Sequence, residues 1–295
     1  MDESDEIPPL KLAPNTPIEA AVDRLRKEQS IENKHREAKL EMVDDFRIGS
    51  VPYLNAVPLT RGIEHQTVFK PPTELAEMLE RDELDAALVS VTEVILKDRY
   101  DILEGVAVAA LGEVLSVFVA HRVPIEEAGE IWCDKASLAS LNLLKVLLAE
   151  KGLSPELKQL ESYDDAKEKD CVLLIGNPAI AFRRAEHDHE LWDLGAAWYD
   201  LTQLPFVFAV WAVRRGLKNV SRLCAELREA KDFGMDTLEF IIADRVDYDR
   251  DFRQDYLGWH IHYHMGSDEK RGLMKFVELL DKHGLGPVYE PKFIA

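Results

Sequence analysis

The sequence predicts an α/β protein of two lobes, because short apolar runs alternate with helical stretches from Phe46 onwards. Strand-like runs such as Ala86–Val91 and Cys171–Ile175 are each followed by a segment of helical character. Alternation of this kind is typical of sheets with helices on their faces. Two apolar runs of similar composition, 115–120 and 206–211, predict paired crossings between the lobes.

Composition and crossings together divide the chain into three parts. Residues 1–45 hold twelve acids and seven bases, which predicts a partly disordered start and a solvated helix over roughly 17–41. We interpret this segment as a charged tail. Residues 46–113 and 214–295 are predicted to form lobe 1, and residues 114–213 are predicted to form an inserted lobe 2.

The individual elements are predicted from apolar runs and from helix-ending glycines. The predicted strands are 46–51, 86–91, 106–110, 115–120, 130–133, 171–175 and 206–213. The predicted helices are 72–81, a start at 92–97, 137–151 and most of the chain after 220, the last being 273–283. Gly152 and Gly284 follow two of these helices, as expected for a residue that adopts the left-handed conformation at helix ends.

Charge and cysteine content exclude several classes of partner. The formal net charge is −19 and the isoelectric point is about 4.9, so nucleic acid and anionic membranes would be repelled. Cys133, Cys171 and Cys224 lie far apart without a Cys-x-x-Cys pair, which indicates a reducing compartment. No apolar segment approaches the ~18 residues of a membrane span. We therefore expect a soluble cytoplasmic protein without a nucleic-acid or membrane partner.

Polar residues follow four of the predicted strands where helices begin. They are Ser50, Tyr53 and Asn55, then Ser90 and Thr92, then Ser137 and Ser140, and then Asn177. Ligands of open α/β sheets lie at such junctions, where helix N-termini attract anions. The pattern predicts a cleft for a carboxylate, with Thr92, Ser137 and Asn177 as N-caps. Ordinary helix capping also explains each junction taken by itself.

Several familiar catalytic motifs are missing. The sequence has no Gly-rich dinucleotide motif, no P-loop and no Gly-x-Ser-x-Gly elbow,. His260 and His264 have the spacing of zinc ligands on one helix face, but Ile261 stands where a zinc protease has its glutamate. We expect neither a metal nor a cofactor.

Several motifs resemble one enzyme family, in order and at the family's spacing from about 46 to 283. They are Ile48–Ala56 (Ile-Gly-Ser-Val-Pro-Tyr-Leu-Asn-Ala) with Pro58-Leu59, Asp85–Ser90, Ser140–Leu148, Leu174–Gly176, Asp193–Trp198, Leu204–Trp211, Tyr256-Leu257, His260-Ile261 and Tyr263. This set is similar to the chorismate dehydratases of the futalosine route to menaquinone. The resemblance implies a two-lobed fold like the type II periplasmic binding proteins, with mixed sheets flanked by helices.

The same resemblance implies a hydro-lyase that converts chorismate to 3-[(1-carboxyvinyl)oxy]benzoate and water without cofactor or metal. Asn55 is the implied catalytic residue. The implied substrate contacts are Ser50, Tyr53, Ser90, Thr92, Ser137, Ser140, Asn177, Pro205 and Phe206, of which Tyr53, Pro205 and Phe206 would wall the ring. An amide is a poor base, and the implied substrate contacts include no Asp, Glu, His or Lys, so we expect a substrate carboxylate to take the proton.

Two departures from the family pattern keep other functions open. The chain has Ala139 where a hydroxyl residue is common, and Asn177 where an aspartate is common. A non-catalytic carboxylate-binding protein of the same fold is one alternative. A ligand-sensing module, with residues 17–41 as its partner helix, is another.

Overall fold

Two mixed β-sheets organise the chain in a computed structural model that describes residues 17–39, 46–133 and 138–295. The strands are β1 (Ile48–Ser50), β2 (Thr67–Phe69), β3 (Ala86–Ser90), β4 (Tyr100–Ala110), β5 (Val117–His121), β6 (Glu130–Cys133), β7 (Glu156–Gln159), β8 (Cys171–Ile175), β9 (Glu190–Asp193), β10 (Phe206–Arg214) and β11 (Phe293–Ile294). The α-helices are α1 (Pro17–Lys39), α2 (Pro72–Glu80), α3 (Val91–Ile95), α4 (Leu138–Glu150), α5 (Gly176–Arg184), α6 (Leu194–Thr202), α7 (Val220–Asp236), α8 (Leu238–Asp244), α9 (Arg250–Asp255) and α10 (Ser267–Lys282). Short 3-10 helices cover Leu54–Leu59, Glu64–Gln66, Ile125–Glu127 and Tyr163–Glu168, and a π-helix covers Tyr256–His260.

The larger sheet has six strands in the order β11-β4-β10-β3-β1-β2. Strands β1, β2 and β3 run parallel, whereas β10 pairs antiparallel with β3 and β4. The smaller sheet has the order β7-β6-β8-β5-β9, with β5 antiparallel to both of its neighbours. Buried strands β3 and β8 are continuous apolar runs, as expected for strands covered on both faces.

The predicted elements differ from the structure in identifiable places. The strand predicted at 206–213, at the end of the predicted lobe 2, is β10, which pairs within the larger sheet between β3 and β4. The sequence also did not indicate the short strands β2, β7, β9 and β11 or the helix α6, because edge strands of two to four residues carry little periodicity. The division into an outer lobe and an inserted lobe stays a prediction.

The charged extension forms a helix that packs on the protein body. His35, only 5 % exposed, stacks on Phe233 of α7 with ring centroids 4.6 Å apart, and its Nε2 lies 3.1 Å from Asp236. Arg24 and Lys27 pair with acids of α8. The predicted helix over roughly 17–41 is present as Pro17–Lys39, with most of its described side chains exposed and His35 buried against α7. Residues 1–16 and 40–45 lie outside the described residues, and the interpretation of the segment as a charged tail stays a prediction.

Close backbone packing joins α7 to the 3-10 helix after β1. A Cβ added at Gly234 would lie 1.8 Å from the carbonyl oxygen of Pro58, so only glycine fits this approach. The 3-10 helix Leu54–Leu59 contains Asn55 and Pro58. The position of α7 therefore restricts the position of Asn55. Within the described ranges, no helix is long and apolar enough to cross a membrane.

One buried carboxylate fastens three strands of the larger sheet. Asp85, at the start of β3, accepts hydrogen bonds from the backbone and guanidinium of Arg47 before β1, at 2.8–3.2 Å. It also accepts one from Arg214 at the end of β10, at 2.7 Å. Burial acts to raise the pKa of Asp85, but the bonds from both arginines outweigh it and lower that pKa to about 2.

We predict that Asp85→Asn lowers the free energy of unfolding by about 1–2 kcal/mol at pH 7. A carboxyl with a depressed pKa stabilises the fold above about pH 4, and this stabilisation is lost as the pH falls towards 2. The difference between Asp85→Asn and the unmodified protein should therefore shrink over that range in denaturant titrations. Asp170→Asn, on a side chain that is 74 % exposed, is the control. An equal difference at pH 3 and pH 7 would contradict the prediction.

Candidate active site

A cleft lies between the two sheets. Its walls come from the carboxyl ends of β1, β3 and β8, from β4 and β10, and from the first turn of α4. The predicted juxtaposition of strand-to-helix junctions from both sheets is therefore present.

Residues that follow β1 and β3 form the wall on the side of the larger sheet. A side chain at Gly49 would force two leucine side chains to shift, because a Cβ there would lie 2.7 Å from a Cδ atom of both Leu75 and Leu84. The chain then turns so that Tyr53 and Asn55 line the cleft. Ser90 lines it from the end of β3, with its hydroxyl 2.6 Å from that of buried Thr92.

The smaller sheet contributes the opposite wall. Ser116 precedes β5, Ser140 lies in the first turn of α4, and Gly176 begins α5. The amide of Gly176 donates to the carbonyl of Ser116 at 2.7 Å, and the φ of Gly176 is +64°, which suits glycine,. Three polar groups of this sheet thus face Tyr53, Asn55 and Ser90 across the cleft.

Of the ten predicted site residues, four line the cleft: Tyr53, Asn55, Ser90 and Ser140. Ser50 and Thr92 are fully buried behind the wall. Pro205 and Phe206 are not among the lining residues. The carbonyl oxygen of Pro205 accepts a hydrogen bond from the indole N–H of Trp198, and the ring of Phe206 packs in the core against Trp198 and Phe276. Ser137 lies outside the described residues. Whether the four lining residues contact a ligand stays a prediction.

Two of the predicted N-caps are wrong. Thr92 lies inside α3, which begins at Val91, and Asn177 lies inside α5, which begins at Gly176. The carbonyl of Asn177 accepts from Tyr248 at 3.5 Å. Both helices begin two residues earlier than these caps would require, because the backbone turns helical directly at the strand end.

The sequence did not indicate Ser116, Tyr163 and Phe208 as lining residues. Ser116 lies within the run 115–120 that was predicted as a crossing between the lobes, and this position was the available signal. Phe208 is two positions from the predicted Phe206, with ring centroids 4.7 Å apart. A register shift between Val207 and Ala209 changes the facing of residues along β10,.

The segment that crosses from β4 to β5 is held by Asp193, a buried residue at the end of β9. Its carboxylate accepts the amides of Val114 and Leu115 at 2.9–3.2 Å and caps α6 through Gly195 and Ala196. Burial raises the pKa of Asp193, although the hydrogen bonds from Ala196, Val114 and Leu115 oppose that rise. Leu115 has a φ of +63°, an unfavourable value for leucine,.

The described lining of the cleft carries no charged side chain. Among its described lining residues there is no Asp, Glu, Lys, Arg or His. The described residues contain no group of three or more His, Cys, Asp or Glu side chains placed to hold a metal ion. His260 and His264 do not share a helix face, since the π-helix ends at His260, whose Nδ1 lies 2.8 Å from the carbonyl oxygen of Glu113.

Comparison with known proteins gives the family. Residues 46–282 match the model of a family described as menaquinone biosynthesis. The chain belongs to this family. The chorismate dehydratase of Thermus thermophilus is 32 % identical over 259 residues, which cover 80 % of this chain and 95 % of that protein. The resemblance stated from the motifs is confirmed, and α1 lies before the matched residues.

Solved structures with the same fold are more distant in sequence. A protein of Archaeoglobus fulgidus has a TM-score of 0.65 at 19 % identity, over 81 % of this chain and 98 % of that chain. The periplasmic aliphatic sulphonate binding protein of Escherichia coli has a TM-score of 0.57 at 16 % identity, over 85 % and 93 % of the two chains. These similarities confirm the predicted fold class, which is an α/β fold like that of the periplasmic binding proteins, with mixed sheets flanked by helices.

We predict that Asp193→Asn lowers the free energy of unfolding by about 2–4 kcal/mol, because an amide places an N–H group against backbone N–H donors. The amides of Val114 and Leu115 should also exchange faster with solvent. Thermal unfolding and hydrogen exchange test both effects, and Asp200→Asn on the exposed face of α6 is the control. Unchanged exchange at Leu115 would show that Asp193 does not hold the crossing.

Proposed function

We propose that this protein is a chorismate dehydratase, a hydro-lyase that forms 3-[(1-carboxyvinyl)oxy]benzoate and water. The observation that carries the proposal is a cleft whose described lining is uncharged and includes Tyr53, Asn55, Ser90 and Ser140, in a chain of the menaquinone biosynthesis family. The identity to a chorismate dehydratase supports it. The substrate is a small dicarboxylate, and the reaction needs no added oxidant or reductant.

Backbone dipoles suit a dianion in this cleft. The net charge of −19 opposes an anionic ligand, and no described lining residue carries a positive charge. Helices α4 and α5, of 13 and 9 residues, begin at the cleft with Ser140 and Gly176 in its wall. Their N-terminal amides attract carboxylates without a basic side chain. Neutral donors of this kind bind the substrate without neutralising a group that must accept a proton.

The proposed reaction breaks two bonds on neighbouring ring carbons. The ring carbon next to the hydroxyl loses its proton, the electrons of that C–H bond form a ring double bond, and the C–O bond breaks to release water. The resulting ring is aromatic, so the step is downhill once the substrate is oriented. Asn55 would hydrogen-bond to the leaving hydroxyl or the enolpyruvyl group. A substrate carboxylate would accept the ring proton and pass it to the departing hydroxyl, which leaves as water.

The direct test is to incubate the purified protein with chorismate and follow the aromatic product by ultraviolet absorbance and chromatography. Formation of 3-[(1-carboxyvinyl)oxy]benzoate is the expected result. Binding of chorismate without turnover would instead support a non-catalytic carboxylate-binding protein of the same fold.

We predict that Asn55→Ala lowers kcat for chorismate by about 100-fold or more, because a hydrogen bond to developing charge is lost in a water-poor cleft. The thermal unfolding midpoint should change little, since Asn55 is only partly buried. Asn33→Ala, on the exposed side of α1, is the control and should keep full activity. Full activity of Asn55→Ala would remove this residue from the mechanism.

A further inference from the structure

The hydroxyl of Tyr256 lies behind the cleft wall and joins both sides of the cleft. Tyr256 is 1 % exposed and begins the π-helix Tyr256–His260. Its hydroxyl donates to Ser116 Oγ at 2.9 Å and also forms a hydrogen bond with the side chain of Asn55. π-Helical turns are rare and occur often at functional sites. One hydroxyl thus connects a residue after β1 with a residue before β5.

This contact restricts the orientation of the Asn55 amide. An asparagine amide has one donor end and one acceptor end, and a single rotation about its terminal bond exchanges them. Because one end of Asn55 is bonded to Tyr256, the other end is the one available to the cleft. Burial raises the pKa of Tyr256, so the hydroxyl stays protonated and the bond persists across the neutral range.

The contact with Ser116 carries the same constraint to the smaller sheet. The carbonyl of Ser116 accepts the amide of Gly176, the first residue of α5. Asn55, Ser116 and Gly176 all line the cleft, whereas Tyr256 stands behind them. A chain of three hydrogen bonds therefore runs from the Asn55 side chain to the start of α5.

We propose that Tyr256 is a positioning residue that fixes the Asn55 amide toward the substrate and sets its separation from Ser116 and α5. The proposal rests on the proposed function for its effect on turnover. Tyr256 does not exchange a proton with the substrate, because it does not line the cleft and its hydroxyl stays neutral. Its effect on the reaction passes through Asn55.

The chain offers a matched control in Tyr263. This residue is 4 % exposed, and its hydroxyl has no hydrogen-bond partner among the described residues. Tyr256→Phe and Tyr263→Phe remove the same atom from two buried tyrosines of one segment. We expect Tyr256→Phe to lower kcat by roughly 10- to 100-fold with a smaller change in KM, because misplaced groups lose this much rate. Tyr263→Phe should keep kcat within about twofold.

Two further measurements separate positioning from a structural effect. If Tyr256 acts through Asn55, the double variant Asn55→Ala, Tyr256→Phe should be no slower than Asn55→Ala alone. Multiplied losses would overturn the proposal. In nuclear magnetic resonance spectra, the side-chain amide signals of Asn55 should shift in Tyr256→Phe and stay in place in Tyr263→Phe.

The amide signals also keep this test independent of the enzymatic assay. Unchanged Asn55 signals in Tyr256→Phe would overturn the positioning role, whatever the activity. If the Asn55 signals shift but the unmodified protein does not convert chorismate, Tyr256 still positions the Asn55 amide and the proposed function is rejected. Full kcat in Tyr256→Phe, with chorismate converted normally by the unmodified protein, would overturn the positioning role alone.

Discussion

The cleft exists because the chain crosses from one sheet to the other at a fixed place, and the hydrogen bonds of one carboxylate hold that crossing. Asp193 receives two amides of the crossing and two of helix α6. Four donors on one buried acceptor compensate the loss of its hydration. Residues on either side of the crossing, Val108 and Ser116, consequently both reach the cleft wall.

Charged side chains pair at the strand ends far from the cleft and are absent from its described wall. Ionic groups fasten the far ends of strands, as Asp85 does with Arg47 and Arg214, while the described cleft wall carries none. Paired charges tolerate partial burial when their hydrogen bonds are complete. An uncharged wall leaves the field of helix starts and polar side chains as the main local influence on a bound anion.

Sequence patterns predicted the parts of the site that depend on local chemistry. The run from Gly49 to Asn55 could be identified because its polar residues follow a strand where a helix begins. The same reasoning selected Ser90 and Ser140, which line the cleft together with Tyr53 and Asn55, and their contact with a ligand stays a prediction.

The remaining parts depend on geometry that composition does not encode. Capping at Asn177 was wrong because the first helical residue is set by backbone dihedrals and not by the presence of an asparagine. Phe208, rather than Phe206, lines the cleft because a bulge shifts the register of β10. Tyr256 reaches Ser116 across 140 residues, and no local pattern reports such a contact.

The left-handed conformation of Leu115 places two opposing demands on one position. Its φ of +63° suits glycine, yet its side chain is 6 % exposed and belongs to the apolar core. Glycine would relax the backbone, but it would leave a cavity in the core and increase the conformational entropy of the unfolded chain. A β-branched residue would fill the space, but it would adopt a positive φ at a higher conformational cost. Few residue types satisfy both demands, so substitution at this point of the crossing between the sheets is restricted from two sides at once.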